Sequence, residues 1–100
     1  MKETSNVSRY RTRYYVYILL SLKDKGFYIG YTADLKQRLT HHSKNQVIAT
    51  KFRTPLFLIH YEYFVNEEDA KAREEFLKSG YGRNQMKQIL KRTLFALKIQ

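Results

Sequence analysis

The segment YYVYILLSLKDKGFYIGY, residues 14–31, carries the strongest structural signal in the chain. Residues 14–20 are rich in β-branched and aromatic side chains, a composition that predicts a β-strand. Residues 23–26 (KDKG) have the polar and glycine-containing composition of a turn, and residues 27–31 predict a second strand. The segment therefore predicts a hairpin at the start of the folded part of the chain.

Outward from the hairpin, the sequence alternates helix and strand signals. Asp34 is a suitable N-cap for a helix that runs to about Ser43. The polar stretch 44–54 predicts a loop ended by Pro55, and residues 56–64 (LFLIHYEYF) predict a third strand. Asn66 can cap a second helix, because three acidic residues follow it where the helix dipole favours anions.

The second helix is expected to run to Ser79 and to stop at Gly80, a typical C-terminal glycine. A last helix is expected from about Arg83, because apolar residues recur at helical spacing at Met86, Ile89, Leu90, Leu94 and Leu97. The predicted fold is an α/β fold in the order β-β-α-β-α-α: a small three-stranded sheet, antiparallel or mixed, packed with helices.

Size and charge limit the functional classes. One hundred residues make one domain, which we assign to residues 14–97, preceded by a flexible basic segment at residues 1–13. Nineteen Lys and Arg against nine Asp and Glu give a net charge of +10, which serves solubility or attracts a polyanion such as nucleic acid. The absence of cysteine, of a signal peptide and of a long apolar stretch favours a cytoplasmic protein without membrane association.

Several strand residues can share one face of the hairpin. If the turn contains an even number of residues, Tyr17, Tyr28 and Gly30 point to the same side. A glycine inside a strand often marks the close approach of a ligand or of another part of the chain. Most strand tyrosines are structural, so this pattern alone is compatible with packing as well as with a site.

The two central helices each place a charged side chain beside apolar ones. Arg38 and His42 share a stripe with Leu35 and Leu39, because steps of three and four residues lie on one helix face. Glu74 lies in the apolar stripe of the next helix, where a carboxylate needs a cation or a partner. A structural ion pair between Glu74 and Arg38 explains both positions as well as a metal site does.

The spacing of these residues resembles the GIY-YIG nuclease family, which includes the N-terminal nuclease domain of the UvrC excinuclease subunit. Residues 15–17 (YVY) correspond to the first tripeptide and residues 28–30 (YIG) to the second, ten residues later. An arginine, a histidine and a glutamate follow at Arg38, His42 and Glu74. Where the first tripeptide of the family has Gly and Ile, this sequence has Tyr15 and Val16. The similarity covers about residues 14–90.

The resemblance implies a role for each matching residue. Tyr17 would be the general base, although Tyr28 takes that role in some proposals for the family and otherwise positions the phosphate or water. Arg38 would hold the phosphate, and His42 would assist proton transfer or contact the phosphate. Glu74 would bind one divalent metal ion, Mg²⁺ or Mn²⁺. A nearby metal ion and cation are expected to lower the pKa of the phenol by stabilising the phenolate. Gly30 and Asn84 are secondary candidates, and Asn84 is equally suited to cap the last helix.

Three functional hypotheses remain from the sequence. The first is a metal-dependent endonuclease that hydrolyses DNA, with RNA less favoured and with a repair or recombination setting suggested by the resemblance. The second is a basic nucleic-acid-binding module that keeps the fold without catalysis. The third is a protein-interaction domain. The nuclease hypothesis uses all five matched residues, and its specificity would be low, shape-based or supplied by a protein partner.

Overall fold

The computed structural model describes residues 13–98, so the predicted flexible segment 1–13 lies almost wholly outside the described residues. The elements are β1 (Tyr14–Ser21), β2 (Phe27–Thr32), α1 (Leu35–Ser43), β3 (Leu56–Phe64), α2 (Glu67–Lys78), α3 (Gly80–Ile89) and α4 (Lys91–Ala96). The predicted α/β class and three-stranded sheet are confirmed. No helix among residues 13–98 is long and apolar enough to cross a membrane.

The strand β1 lies in the centre of the sheet, which has the order β2-β1-β3 and is antiparallel throughout. A central strand is covered by neighbours on both edges, and residues 16–21 are all buried. In the hairpin, Tyr17 pairs with Gly30 and Leu19 pairs with Tyr28, so the expected shared face is present. The tight turn uses Lys25 at φ 65° and an Asp24 carboxylate that accepts from the Gly26 amide at 2.8 Å.

The two faces of the sheet are covered by different helices. Alternate residues Val16, Ile18 and Leu20 join the main core with side chains from α2, α3 and α4: Ala70, Leu77, Met86 and Leu94. The opposite face carries Tyr17 and Leu19 and receives α1. Because side chains alternate along a strand, one strand supplies both the core and the polar face.

The end of α2 differs from the prediction. Gly80 does not end a helix in a left-handed conformation, since no glycine among the described residues has positive φ. Ser79 instead has extended angles, ends α2, and accepts a hydrogen bond from the Gly82 amide at 3.0 Å as the N-cap of α3. A Cβ at Gly82 would lie 2.1 Å from the Phe76 carbonyl oxygen, so this glycine permits close helix packing.

The predicted last helix is two helices, α3 and α4, joined at Leu90. The expected apolar stripe is therefore interrupted: Met86 and Leu94 are buried in the core, whereas Ile89 is 56% exposed. Asn84 lies exposed within α3 and does not cap it, because that helix begins at Gly80, before the predicted start at about Arg83. The spacing of apolar residues predicts that such a segment is helical more reliably than it predicts where one helix ends and the next begins.

Candidate active site

Tyr17 crosses the sheet over Gly30. A Cβ at position 30 would lie 2.3 Å from both the ring Cζ and the hydroxyl oxygen of Tyr17. No side chain larger than hydrogen fits there, so the glycine lets the ring extend from central β1 across the edge strand β2. The Tyr17 side chain is completely buried, and its hydroxyl ends beneath α1.

Two side chains of α1 meet the Tyr17 hydroxyl. Arg38 Nε donates to it at 3.3 Å, and His42 Nε2 shares a hydrogen bond with it at 2.8 Å. Arg38 and His42 are four residues apart, one helical turn, so a single helix face presents both. The Asp34 carboxylate caps this helix by accepting from the Gln37 amide at 3.0 Å. Three of the predicted site residues therefore converge on one oxygen atom.

The hydrogen-bonded chain continues to a residue outside the predicted set. His42 Nδ1 shares a 2.8 Å hydrogen bond with the Thr50 hydroxyl, and both side chains are buried. A neutral imidazole donates through one ring nitrogen and accepts through the other, so the two hydrogen bonds run in one direction along Tyr17, His42 and Thr50. Thr50 lies in the stretch predicted as a polar loop, and no feature of its sequence neighbourhood indicates burial.

The protonation states follow from burial. Burial raises the pKa of Tyr17 to about 12, an effect that the Arg38 hydrogen bond opposes. Burial, followed by the charge of Arg38, lowers the pKa of His42 to about 4. At neutral pH the site therefore holds a phenol and a neutral imidazole. Arg38 lowers the pKa of Tyr17, as expected of a neighbouring cation, but desolvation outweighs the guanidinium, so the pKa in the protein alone is raised.

Tyr28 packs beside this pair. Its ring contacts the His42 ring edge-to-face, with centroids 5.2 Å apart, and its centroid lies 6.3 Å from that of Tyr17. The side chain is half-buried, so it touches the hydrogen-bonded chain on one side and solvent on the other. The structure thus brings Tyr17, Tyr28, Gly30, Arg38 and His42 to one face of the sheet.

Glu74 comes from the other face, on α2. The alternative of a Glu74–Arg38 ion pair is wrong, because within residues 13–98 the partner of Glu74 is Lys78, with Nζ 3.1 Å from the carboxylate. The neighbouring Glu67 of the same helix accepts from the Tyr31 hydroxyl at 2.6 Å, which holds α2 against the edge strand β2. The Glu74 charge also contributes, after burial, to the raised pKa of Tyr17. Among residues 13–98, Glu74 makes no hydrogen bond or ion pair with Tyr17, Arg38 or His42.

In the described part of the chain, few carboxylates are placed to hold a divalent metal ion at this site. Residues 13–98 contain no group of three His, Cys, Asp or Glu side chains that could hold a cation. Glu74 is a single carboxylate, 22% exposed. One carboxylate suits a cation that keeps several waters and takes substrate phosphate oxygens as further ligands. The donor set fits a metal bound jointly with substrate. Within the described residues, Asn84 makes no hydrogen bond to Tyr17, Arg38, His42 or Thr50.

Comparison with known proteins decides the family. Residues 13–88 match the family model described as the GIY-YIG catalytic domain, which is most of the chain. The chain belongs to the GIY-YIG family. A UPF0213 protein of Streptococcus pyogenes serotype M5 is 40% identical over 72 residues, which cover 71% of this chain and 77% of that protein. A second, from S. pyogenes serotype M3 strain SSI-1, has the same identity and coverage.

A solved GIY-YIG relative agrees with the fold. The solution NMR structure of a UPF0213 protein from Bacillus halodurans superposes with a TM-score of 0.51 at 31% identity, covering 77% of this chain and 84% of that one. The resemblance seen in the two tripeptides is thereby confirmed at the level of the family and its nuclease fold. The names of these relatives state no reaction.

Proposed function

We propose that this GIY-YIG protein is an endonuclease that hydrolyses phosphodiester bonds in DNA with one divalent metal ion, Mg²⁺ or Mn²⁺. The observation that carries the proposal is the Tyr17 hydroxyl, held between a guanidinium at 3.3 Å and an imidazole at 2.8 Å. A tyrosine that only filled space in the core would not need both a guanidinium and an imidazole at its hydroxyl. Binding alone would not need this arrangement, which favours catalysis over a non-catalytic module.

Arg38 is the proposed phosphate-binding group. Its hydrogen bond to Tyr17 raises the pKa of its guanidinium above the ordinary value, so it is charged at every accessible pH. A guanidinium can bind two phosphate oxygens and remain bonded through Nε, which orients the scissile phosphate beside the phenol. The net charge of +10 brings DNA to the surface without sequence preference.

Tyr17 and His42 form the proposed proton path. As water attacks phosphorus, its proton passes to the Tyr17 oxygen while the phenolic proton passes to His42 Nε2, and the bond to the leaving 3′ or 5′ oxygen breaks. Because the Arg38 charge helps to lower the pKa of His42, a bound phosphate that neutralises this charge makes the imidazole a better acceptor. The relay avoids a free phenolate, which a pKa of about 12 makes rare at neutral pH.

Glu74 is the proposed ligand of the metal ion. Bound there with the substrate, the ion supplies Lewis-acid stabilisation of charge on the phosphate and the leaving oxygen. Lys78, which pairs with Glu74 in the free protein, would exchange this partner for the DNA backbone. We assign DNA rather than RNA and a cytoplasmic setting on the family resemblance and the absence of cysteine, and DNA repair or recombination as the process.

A cleavage assay with a matched pair of variants tests the proposal. Nicked, flap, branched and duplex DNA are incubated with Mg²⁺ or Mn²⁺ and with EDTA. We expect cleavage by the parent with metal only, and a loss of about a hundredfold or more for Glu74→Gln. The neighbouring Glu75→Gln removes an exposed carboxylate of the same helix and should cleave like the parent.

Two outcomes contradict the nuclease proposal. If the parent binds DNA but leaves every substrate uncut with either metal, the protein is a binding module. If Glu74→Gln and Glu75→Gln cleave equally well, the carboxylate has no metal role. A Tyr17→Phe variant in the same assay tests the proposed proton transfer independently of metal binding, because it removes the hydroxyl and keeps Glu74.

A further inference from the structure

A groove runs beside the proposed active site between α1 and the sheet. It encloses about 870 Å³ and is lined on one side by α1 and on the other by the ends of β1 and β3. We call it the tyrosine groove and define it by six of its lining residues: Arg13, Tyr15, Lys36, Leu39, Ser43 and Tyr61. None of these residues takes part in the hydrogen bonds of the Tyr17 hydroxyl.

The groove exists because the sheet is covered unequally. Three described helices pack on the core face, whereas α1 is the one described helix on the opposite face. The β3 side of that face is therefore open, and Tyr61 and Tyr63 are 53% and 46% exposed. Their rings pack against Tyr15, with centroid distances of 6.0 and 5.7 Å, and form one aromatic surface.

The chemistry of the tyrosine groove fits unpaired nucleotides. Exposed rings offer stacking surfaces, and Arg13 and Lys36 at the groove supply positive charge for a phosphate backbone. The one carboxylate at the groove, Asp34, is engaged as the cap of α1 and accepts from the Gln37 amide. Bases in a duplex are stacked on each other, so their faces are available to a protein only when the strand is single.

The position of the groove connects it to the proposed chemistry. Tyr61 is the β3 residue directly opposite Tyr17, and Tyr15 precedes Tyr17 by two residues on the same face of β1, about 7 Å along the strand. The groove volume is that of a drug-sized ligand site, enough for about one or two nucleotides. A strand held in the groove therefore has its next phosphates close to Arg38.

We propose that the tyrosine groove binds single-stranded DNA by stacking unpaired bases on Tyr61 and its neighbours. The inference deepens the proposed nuclease function and rests on it for the choice of DNA: it names the form of substrate next to the cut. A nuclease with such a groove acts on a strand that is unpaired on one side of the scissile bond.

Binding in the presence of EDTA tests the groove separately from cleavage. Fluorescence anisotropy is measured with a short labelled oligothymidylate and with a duplex of the same length. For Tyr61→Ala we expect the affinity for oligothymidylate to fall about tenfold, the loss of one stacked base, with little change for the duplex. Tyr61→Phe keeps the ring and should bind like the parent.

The matched control is Tyr81→Ala. Tyr81 is 75% exposed on α3, which packs on the other face of the sheet, so its loss should not affect either ligand. Thermal unfolding of each variant checks that the fold is intact. Since Tyr61 is more than half exposed, its truncation is expected to leave stability nearly unchanged.

A second measurement reports contact directly. The chain contains no tryptophan, so Tyr61→Trp introduces a single fluorescent reporter in the groove. We expect oligothymidylate to quench this fluorescence and to shift it, and the duplex to do so much less. Equal oligothymidylate affinities for Tyr61→Ala and the parent, or equal losses for both DNA forms, would overturn the groove proposal.

The two proposals fail in different experiments. If the parent cleaves no DNA but Tyr61→Ala still weakens oligothymidylate binding selectively, the nuclease proposal fails and the groove stands. If cleavage needs metal and Glu74 but Tyr61 has no selective effect, the groove proposal fails alone. A change of oligomeric state in Tyr61→Ala, seen by analytical ultracentrifugation without loss of oligothymidylate affinity, would assign the face to self-association instead.

Discussion

At the scale of single residues, Gly30 determines where the phenol of Tyr17 can lie. The ring of Tyr17 occupies the space that any side chain at position 30 would fill. The hydroxyl reaches Arg38 and His42 only because the ring can pass over the edge strand at that point. A residue without a side chain is therefore part of the site, although it has no chemical group to contribute.

Replacing Gly30 by alanine is expected to displace Tyr17. The added Cβ would lie 2.3 Å from the ring, so the variant should lose about 1–3 kcal/mol of unfolding free energy and most of its cleavage activity. Urea denaturation and the cleavage assay measure the two effects. Gly80→Ala is the control, since a Cβ there meets nothing within 4 Å. Parent-like stability and cleavage in Gly30→Ala would contradict this account.

At the scale of secondary-structure elements, α1 and the segment after it hold the imidazole from two sides. The helix positions His42 one turn after Arg38, and Thr50 in the following segment fixes the other ring nitrogen at 2.8 Å. An imidazole bonded at both nitrogens has a defined orientation and a defined tautomer. Thr50 is therefore a positioning residue, whose effect on the phenol passes through His42.

Thr50→Val should weaken that positioning while keeping the shape of the side chain. It leaves His42 Nδ1 without its partner, for which we expect a loss of about 1–3 kcal/mol of stability. Cleavage should fall about tenfold, and its pH profile should shift because the pKa of His42 changes. Thr50→Ser restores the hydroxyl and should restore the profile. A Thr50→Val profile that superposes on that of the parent would show that Thr50 only fills space.

At the scale of the whole molecule, the sheet separates the two halves of the site. Tyr17, Arg38 and His42 lie on the α1 face, whereas Glu74, the proposed metal ligand, belongs to α2 on the core face. Glu62 of β3 lies on the core face and accepts from Arg73 Nε at 2.9 Å, because β3 also contributes to that core.

Folding stability should fall with mild acid through His42. Its pKa is about 4 in the folded protein against 6.5 in the unfolded chain, so the unfolded state binds the extra proton between these values. The contribution of His42 is present above pH 6.5 and is lost as the pH falls towards 4. Between pH 7 and pH 5 this amounts to roughly 2 kcal/mol.

Urea denaturation at several pH values measures this loss, with His42→Gln as control. The carboxylates whose pKa is lowered are Asp24, Glu62 and Glu67, and they remain ionised in the folded protein throughout that window, so they contribute little to the loss. As the pH falls, the growing net positive charge destabilises the parent and His42→Gln alike. The difference between their unfolding free energies therefore isolates the contribution of His42. Equal slopes for parent and control would contradict the assigned protonation of the imidazole.

The strands, the first two helix caps and the family could be predicted from the sequence by itself. Period-two alternation, capping side chains and turn residues act within a few positions of the chain, and the two tripeptides lie in one hairpin. These features also place Tyr17, Tyr28 and Gly30 on one face. The end of α2 near Ser79 was predicted, but the expected role of Gly80 as its C-terminal glycine was wrong, because Gly80 begins α3 and Ser79 caps it. The Ser79 cap and the close contact of Gly82 with Phe76 depend on how the two helices pack.

Only the tertiary structure determined the partners of the buried groups. The Glu74–Arg38 pair was a reasonable sequence hypothesis, but the sheet lies between those helices. The position of Thr50, the tyrosine groove and the raised pKa of Tyr17 depend on which segments cover which face of the sheet. Contacts such as His42–Thr50, Arg38–Tyr17 and Tyr15–Tyr61, between residues far apart in the chain, decide this. Hydrogen bonding and desolvation act through space, whereas the patterns read from a sequence are local to it.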